Sequence, residues 1–301
     1  MQEAMKKRAK ELLASGEVTR VIGWKKNEFD YDITPAVFES AEEIDRDFRY
    51  DDFCGPNLSK FTFKNQKNDT KTLVFLKPCD TYSMTQLITE HRIRADGTDG
   101  ILSIASEGAD VTVKTLYGDK TYVKADVMAE RCLACKSKYH TIYDELMGEE
   151  GEVMETGRFN EVEKLEAMTP DERFGFWRGE LSRCIRCNAC RNACPACTCE
   201  SCVFDNPDTG ISQKAAADSF EENMFHIIRA FHVAGRCTDC GECSRVCPQH
   251  IPLHLLNRKF IRDIDKLYGE YQAGEEVGQR SPLVNFTTDD AEPDIVRKGG
   301  K

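Results

Sequence analysis

The sequence carries one cysteine spacing twice, CIRCNACRNACP from Cys184 to Pro195 and CTDCGECSRVCP from Cys237 to Pro248. Each copy reads C-x2-C-x2-C-x3-C-P. In such a run three thiolates wrap one four-iron cluster and the fourth is lent to the other cluster. The spacing therefore assigns Cys184, Cys187, Cys190 and Cys247 to one 4Fe-4S cluster, and Cys237, Cys240, Cys243 and Cys194 to a second. The short loops also offer backbone N–H groups that can bond cluster sulfur and tune its potential. Zinc favours separated C-x2-C pairs and a disulfide framework needs an oxidising compartment, so neither accounts for two complete runs of four.

With 301 residues the chain is long enough for two domains, and 15 cysteines is a heavy load. The opening MQEAMKKRAKELLASG reads as a charged amphipathic helix rather than a signal peptide, and no eighteen apolar residues run together. The expectation is a soluble, cytoplasmic protein without membrane insertion, where reduced thiols in clusters serve as metal ligands. A net charge of −11 repels a phosphate backbone, which argues against nucleic acid and for protein partners.

The expected fold class is α+β in two domains, an N-terminal α/β domain over residues 1–150 and an α-helical dicluster domain over 181–268. Residues 151–180 form a linker and lead-in helix, and 269–301 a polar tail that is either disordered or a strap across a neighbouring subunit. In the front part VTRVIGWKK reads as a strand, and Thr34 to Asp47 as a helix with Thr34 as N-cap and Pro35 at its first position. The runs TLVFLKP, GILSIASE, VTVKTLY and KTYVKADV read as further strands, and Thr81 to Arg92 as a helix. The Gly- and Glu-rich GEEGEVMETG reads as linker. At Thr169 the order TPDER signals an N-cap, a Pro and two first-turn acids, so a helix leads into the first cysteine run.

From Cys194 to Cys237 is 43 positions, too long for the tight connection of a small two-cluster ferredoxin. Inside that insert Phe220, Met224, Ile227, Ile228 and Phe231 fall on one helical face ahead of Gly235. A second stripe, Leu253, Leu256, Phe260, Ile264 and Leu267, follows the second run. Both stripes are expected to be core, with the clusters held between helices in a ferredoxin domain of the helical type.

CIRCNACRNACPACTC, CTDCGECSRVCPQHIP and VFLKPCD together resemble the 4Fe-4S dicluster electron-transfer subunits typified by those of anaerobic sulfite reductase and by the sulfhydrogenase β chain. The cluster region is also similar to the dicluster domain of heterodisulfide reductase. The resemblance covers most of the C-terminal half and scattered points of the N-terminal half. It implies an electron-transfer subunit relaying between a flavoprotein partner and a terminal reductase, hydrogenase, formate dehydrogenase or heterodisulfide-reductase-like module.

Seven cysteines stand outside the two assignments. Cys54, Cys79, Cys132 and Cys135 lie in the front domain and could complete a third cluster. Cys79 ends a strand and precedes a helix, where α/β sheets gather ligands and a helix N-terminus favours a thiolate. The competing readings are tetrahedral zinc with His140 as substitute ligand, and ordinary buried thiols. Cys197, Cys199 and Cys202 follow the first run and could shield the cluster, serve as alternative ligands or line a partner interface. His250 and His254 are one helical turn apart, which suits a solvated or second-sphere role better than a metal site.

No GxGxxG follows a strand, and no GxxxxGK[ST] occurs. The leading reading is thus an electron carrier without its own substrate pocket. The alternative is a redox enzyme whose N-terminal domain binds flavin or substrate near Cys79, similar to the β subunits of deazaflavin-reducing hydrogenases.

Overall fold

The computed structural model describes residues 1–29, 31–65, 71–93, 101–104, 111–115, 118–122, 128–136, 138–149, 151, 155–205 and 219–284. The front half is built on a five-stranded sheet of β1 (Arg20–Lys26), β2 (Ile33–Phe38), β3 (Thr72–Leu76), β4 (Ile101–Ile104) and β7 (Glu145–Met147), in the order β2-β1-β3-β4-β7. β1, β3, β4 and β7 run parallel, and β2 pairs antiparallel at one edge. Parallel strands covered on both faces read as unbroken apolar runs, and β3, TLVFL, is buried at every position. A hairpin of β5 (Val111–Thr115) and β6 (Gly118–Tyr122) forms a separate two-stranded sheet.

Helix α1 (Gln2–Ser15) sends Met5, Ala9 and Leu12 into the core, where they meet Ile22, Trp24, Leu73 and Phe75. The helix expected over Thr34–Asp47 is not there. Thr34 and Pro35 belong to β2, with Pro35 opposite Trp24 of β1, and α2 (Ala41–Asp47) starts only after Ser40, whose Oγ accepts from Glu43 N at 3.2 Å. Pro35 suits either a helix start or an edge strand that lacks one ladder donor. Pairing with β1 decides between them.

After α3 (Leu58–Lys64) and β3, helix α4 (Pro78–Thr89) is buried on all sides. Met84, Leu87 and Ile88 join the sheet core, while Ser83 Oγ lies 2.9 Å from Thr238 Oγ1 of the second cysteine run in a hydrogen bond. α4 therefore packs between the sheet and the cysteine-rich half.

α5 (Glu130–Leu133) precedes β7 in the front half, and the cysteine-rich half holds α6 (Asn160–Glu166), α7 (Pro170–Ser182), α8 (Ala189–Asn192), a 3-10 turn (Val203–Asp205), α9 (Ser219–His232), α10 (Glu242–Arg245) and α11 (Leu253–Tyr268). Thr169 caps α7 in a capping box with Glu172, as TPDER signals. Residues 274–278 of the tail lie against α4: Gly278 N donates to Thr89 Oγ1 at 2.9 Å, and a Cβ on Gly274 would meet the Tyr82 carbonyl oxygen at 2.0 Å. Residues 285–301 of the tail, and residues 150 and 152–154 of the GEEGEVMETG linker, lie outside the described residues.

The two apolar stripes do not behave alike. Leu253 and Ile264 of the second are buried, whereas Leu267 is 74% exposed. On α9 three residues of the stripe face outward, Met224 40%, Ile227 38% and Phe231 61% exposed, while Ile228 packs against the Phe225 cluster and the Phe220 side chain lies outside those described. The buried face is instead Phe225, His226, Arg229, Ala230 and Val233. The expectation that this stripe is core is therefore corrected. A periodicity fixes which residues share a face but not which face turns inward.

Candidate metal centres

The two cysteine runs repeat a backbone as well as a spacing. Arg186 and Asn188 in the first have φ of 55° and 61°, and the equivalent Asp239 and Gly241 in the second have 55° and 71°. Left-handed backbone costs a residue with a side chain about 1–2 kcal/mol, so its recurrence at matched positions marks a shape that the site requires. Such turns point successive N–H groups into a concavity. A one-turn helix follows in each copy, α8 and α10, burying Cys190 and Cys243. At Gly241 a Cβ would meet Arg131 Cδ at 2.2 Å, so the second run needs Gly where the first has Asn.

Cys184, Cys187 and Cys190 line one cavity together with Cys247, which comes from the second run. Cys237, Cys240 and Cys243 line another together with Cys194, which comes from the first. The fold thus gathers the eight sulfurs into the two sets of four that the spacing groups. Phe225, His226 and Leu253 close the first cavity, and His254 and Asn257 the second.

Burial pushes the Cys237 and Cys243 thiols up to about 12, and Cys240 well above the ordinary range. Four desolvated sulfurs cannot ionise side by side without positive charge among them, and a bound metal centre supplies that charge by coordinating thiolate directly. Cys194 is the exception. A hydrogen bond from the Cys197 thiol, with Arg229 and Lys60 nearby, holds it below the ordinary thiol range despite burial. Cys197 therefore acts on a candidate ligand three positions before it.

The second loop is pinned from both halves of the molecule. Arg258 Nε donates to both Asp239 oxygens, at 2.9 and 3.0 Å, and Arg158 Nε donates to Asp239 Oδ2 at 2.7 Å. Lys136 Nζ donates to the Thr238 carbonyl at 2.5 Å, and Asn57 N to Glu242 Oε2 at 3.2 Å. Asn257 Nδ2 lies 3.6 Å from Cys243 Sγ, in reach of a weak bond to a candidate ligand. None of these partners shows in the cysteine spacing. The only sequence signal for Asp239 is an acid inside a C-x2-C turn.

In the front half Cys54 is buried, and Asp51 N donates to its Sγ at 3.3 Å. Burial pushes Cys54 up to about 12. Burial, and then the Asp80 carboxylate, push Cys79 higher still, so the helix N-terminus does not make it a free thiolate as position alone suggests. Cys79 lies within electrostatic reach of Cys135, and both Cys54 and Cys79 act on the half-buried Lys77. Cys132 lies in α5, beside Arg131, which packs on Gly241. Among the described residues, no three His, Cys, Asp or Glu side chains are grouped so as to hold a metal ion, and this geometry favours neither zinc nor a cluster at these cysteines. His140 is buried beside Tyr143, with ring centroids 6.2 Å apart. His250 is exposed, while buried His254 shares a 2.9 Å hydrogen bond with Ser244 Oγ.

Cys197, Cys199 and Cys202 line a cavity of about 310 Å³ with Lys60, Arg191 and Arg236. Cys202 also packs against the apolar cluster around Phe204 and Phe225. No described helix is long and apolar enough to cross a membrane.

Residues 180–251 match the family model of the 4Fe-4S dicluster domain. The chain is also 32% identical over 92 residues to the β subunit of an F420-dependent formate dehydrogenase from Methanocaldococcus jannaschii. That alignment covers 30% of this chain and 24% of the relative, so the chain spans about a quarter of the protein it matches. The chain thus carries an iron–sulfur dicluster domain and shares a segment with one subunit of an oxidoreductase.

Proposed function

We propose that the protein is an iron–sulfur electron-transfer subunit of a multisubunit oxidoreductase. Cys184, Cys187, Cys190 and Cys247 hold one 4Fe-4S cluster, and Cys237, Cys240, Cys243 and Cys194 hold the other. The observation that carries this reading is the crossed grouping of the eight sulfurs around two neighbouring cavities. Bound there, each cluster supplies one-electron exchange. The chain's own residues supply thiolate ligands, inward N–H groups from the left-handed turns, and an apolar jacket of Phe225, Ile251 and Leu253 that excludes water.

Cys54, Cys79, Cys132 and Cys135 are proposed as ligands of a third cluster. The support is that Cys79 lies within electrostatic reach of Cys135, and that Arg131 and Lys136, which flank the Cys132–Cys135 pair, pack on the second loop. A centre there would continue the electron path into the front half. The relay is proposed to run between a flavoprotein partner and a terminal reductase, hydrogenase, formate dehydrogenase or heterodisulfide-reductase-like module, in keeping with the enzyme to which the matched relative belongs.

Iron and sulfide analysis of anaerobically purified chain tests the cluster count. About twelve irons per chain supports three clusters, about eight rejects the third, and none rejects the whole reading. Cys132→Ser with Cys135→Ser should remove four irons and leave the rest. Purification of the native complex tests the relay, with a flavoprotein expected in stoichiometric amount.

A second reading is favoured by the F420 dependence in the relative's name: the front half itself binds flavin or deazaflavin. It predicts a releasable yellow chromophore from the isolated chain. A spectrum holding only the broad iron–sulfur band rejects it.

A further inference from the structure

Helix α9 runs past both cysteine cavities. Phe225 and His226 line the first. Val233, eight residues beyond Phe225 and so about 12 Å along the axis, packs with Cys194, Cys197 and Cys237 beside the second. Arg229 stands midway, one turn from each, on the same buried face and only 1% exposed.

Among the described residues its Nε, Nη1 and Nη2 atoms all lack a hydrogen-bond partner. The groups that act on it most strongly are the thiols Cys243, Cys190, Cys194 and Cys197, drawn from both runs. A guanidinium taken out of water with five N–H donors unsatisfied costs several kcal/mol unless a partner repays it. The missing partner must be anionic, must accept hydrogen bonds and must lie where the two cavities approach each other. Four-iron clusters carried on cysteine thiolates meet all three conditions, since cluster and cysteinyl sulfurs accept hydrogen bonds and the assembly is negative.

We infer that Arg229 is a counter-cation shared by both clusters, supplying charge and N–H donors to each and raising both reduction potentials together. This rests on the reading that the two cavities hold 4Fe-4S clusters. Reduction adds one negative charge to a cluster, and a fixed cation in a desolvated site favours the state with more negative charge. Because Arg229 lies within electrostatic reach of Cys190 and Cys243, a candidate ligand of each cluster, while its side chain borders the cavity of Cys197, Cys199 and Cys202, its removal acts on two couples rather than one. It is a positioning and tuning residue and not a ligand, so its loss should leave the iron in place.

The test is a redox titration of the full, iron-loaded chain followed by paramagnetic resonance, comparing wild type with Arg229→Met and Arg229→Lys. Arg229→Met should keep the wild-type iron content and move both midpoints negative, each by at least a tenfold change in the reduction equilibrium, about 59 mV for a one-electron couple. Arg229→Lys keeps the charge but loses the planar fork, and should move both by less. If Arg229→Met does not retain iron, Arg229→Gln is judged by the same criterion. Unchanged midpoints, or a shift of one cluster alone, overturn the inference. A wild-type chain without iron or cluster signals would instead refute the cluster reading itself.

Discussion

Asp239 is a buried carboxylate held between two arginines, so which partner is removed matters more than how many. Arg258 is 2% exposed and donates to both carboxylate oxygens, while Arg158 takes Oδ2. Arg258→Met leaves the carboxylate with one cation and should cost about 3–5 kcal/mol. Adding Asp239→Asn should restore part of that loss, because the charge left stranded has gone. Thermal unfolding of the iron-loaded single and double variants checks the order. A second residue-scale prediction concerns the matched left-handed positions. Asn188→Gly should be near neutral, whereas Gly241→Asn should cost the second cluster, because the added Cβ falls 2.2 Å from Arg131 Cδ. Iron analysis of the two variants separates them. At this scale the eight run cysteines are legible because metal chemistry fixes their spacing. Arg229, Asp239 and Arg258 are not, because their roles depend on partners far away in sequence.

Secondary structure is readable where local chemistry is unambiguous and fails where two signals share one residue. TLVFL, TPDER and the helix over Thr81–Arg92 form much as their patterns require, although the last starts earlier, at Pro78. Pro35 has the local chemistry of a helix start yet sits in an edge strand, since only the pairing with β1 distinguishes the two. α9 shows the same problem in three dimensions. Its apolar stripe is regular, yet the face turned inward is the one that carries Phe225, His226 and Arg229. This makes a direct prediction. Phe225→Ala should destabilise by about 3–5 kcal/mol, as for a fully buried aromatic, while Phe231→Lys should change stability by no more than about 0.5 kcal/mol. Denaturation midpoints of the isolated chain test it, and the reverse order would restore the stripe as core.

Over the whole molecule, the α+β class and the placing of the cysteine runs between helices are visible in the sequence. The close attachment of the halves is not. Arg236 Nε donates to Glu90 at 2.7 Å, Asn57 N to Glu242 Oε2 at 3.2 Å, and Lys60 Nζ to the Cys197 carbonyl. Ser83 in turn bonds Thr238 of the second run. Buried polar contacts of this kind are lost together or not at all, so the halves should unfold in one transition. In a Trp177→Phe background, bleaching of the iron–sulfur band and the fluorescence change of Trp24 should coincide on heating. Two separated transitions would show that the halves are independent. These contacts cannot be read from composition, because each joins residues that are individually ordinary surface types.

The central claim is that two four-iron clusters sit in two cavities with crossed ligands. Anomalous scattering at the iron edge, recorded from crystals grown without oxygen, tests it most directly. The account predicts two four-iron peaks in the cysteine-rich half, one bounded by Cys184, Cys187, Cys190 and Cys247 and one by Cys237, Cys240, Cys243 and Cys194. Absence of iron at these cavities, or single-ion peaks in place of clusters, would contradict it.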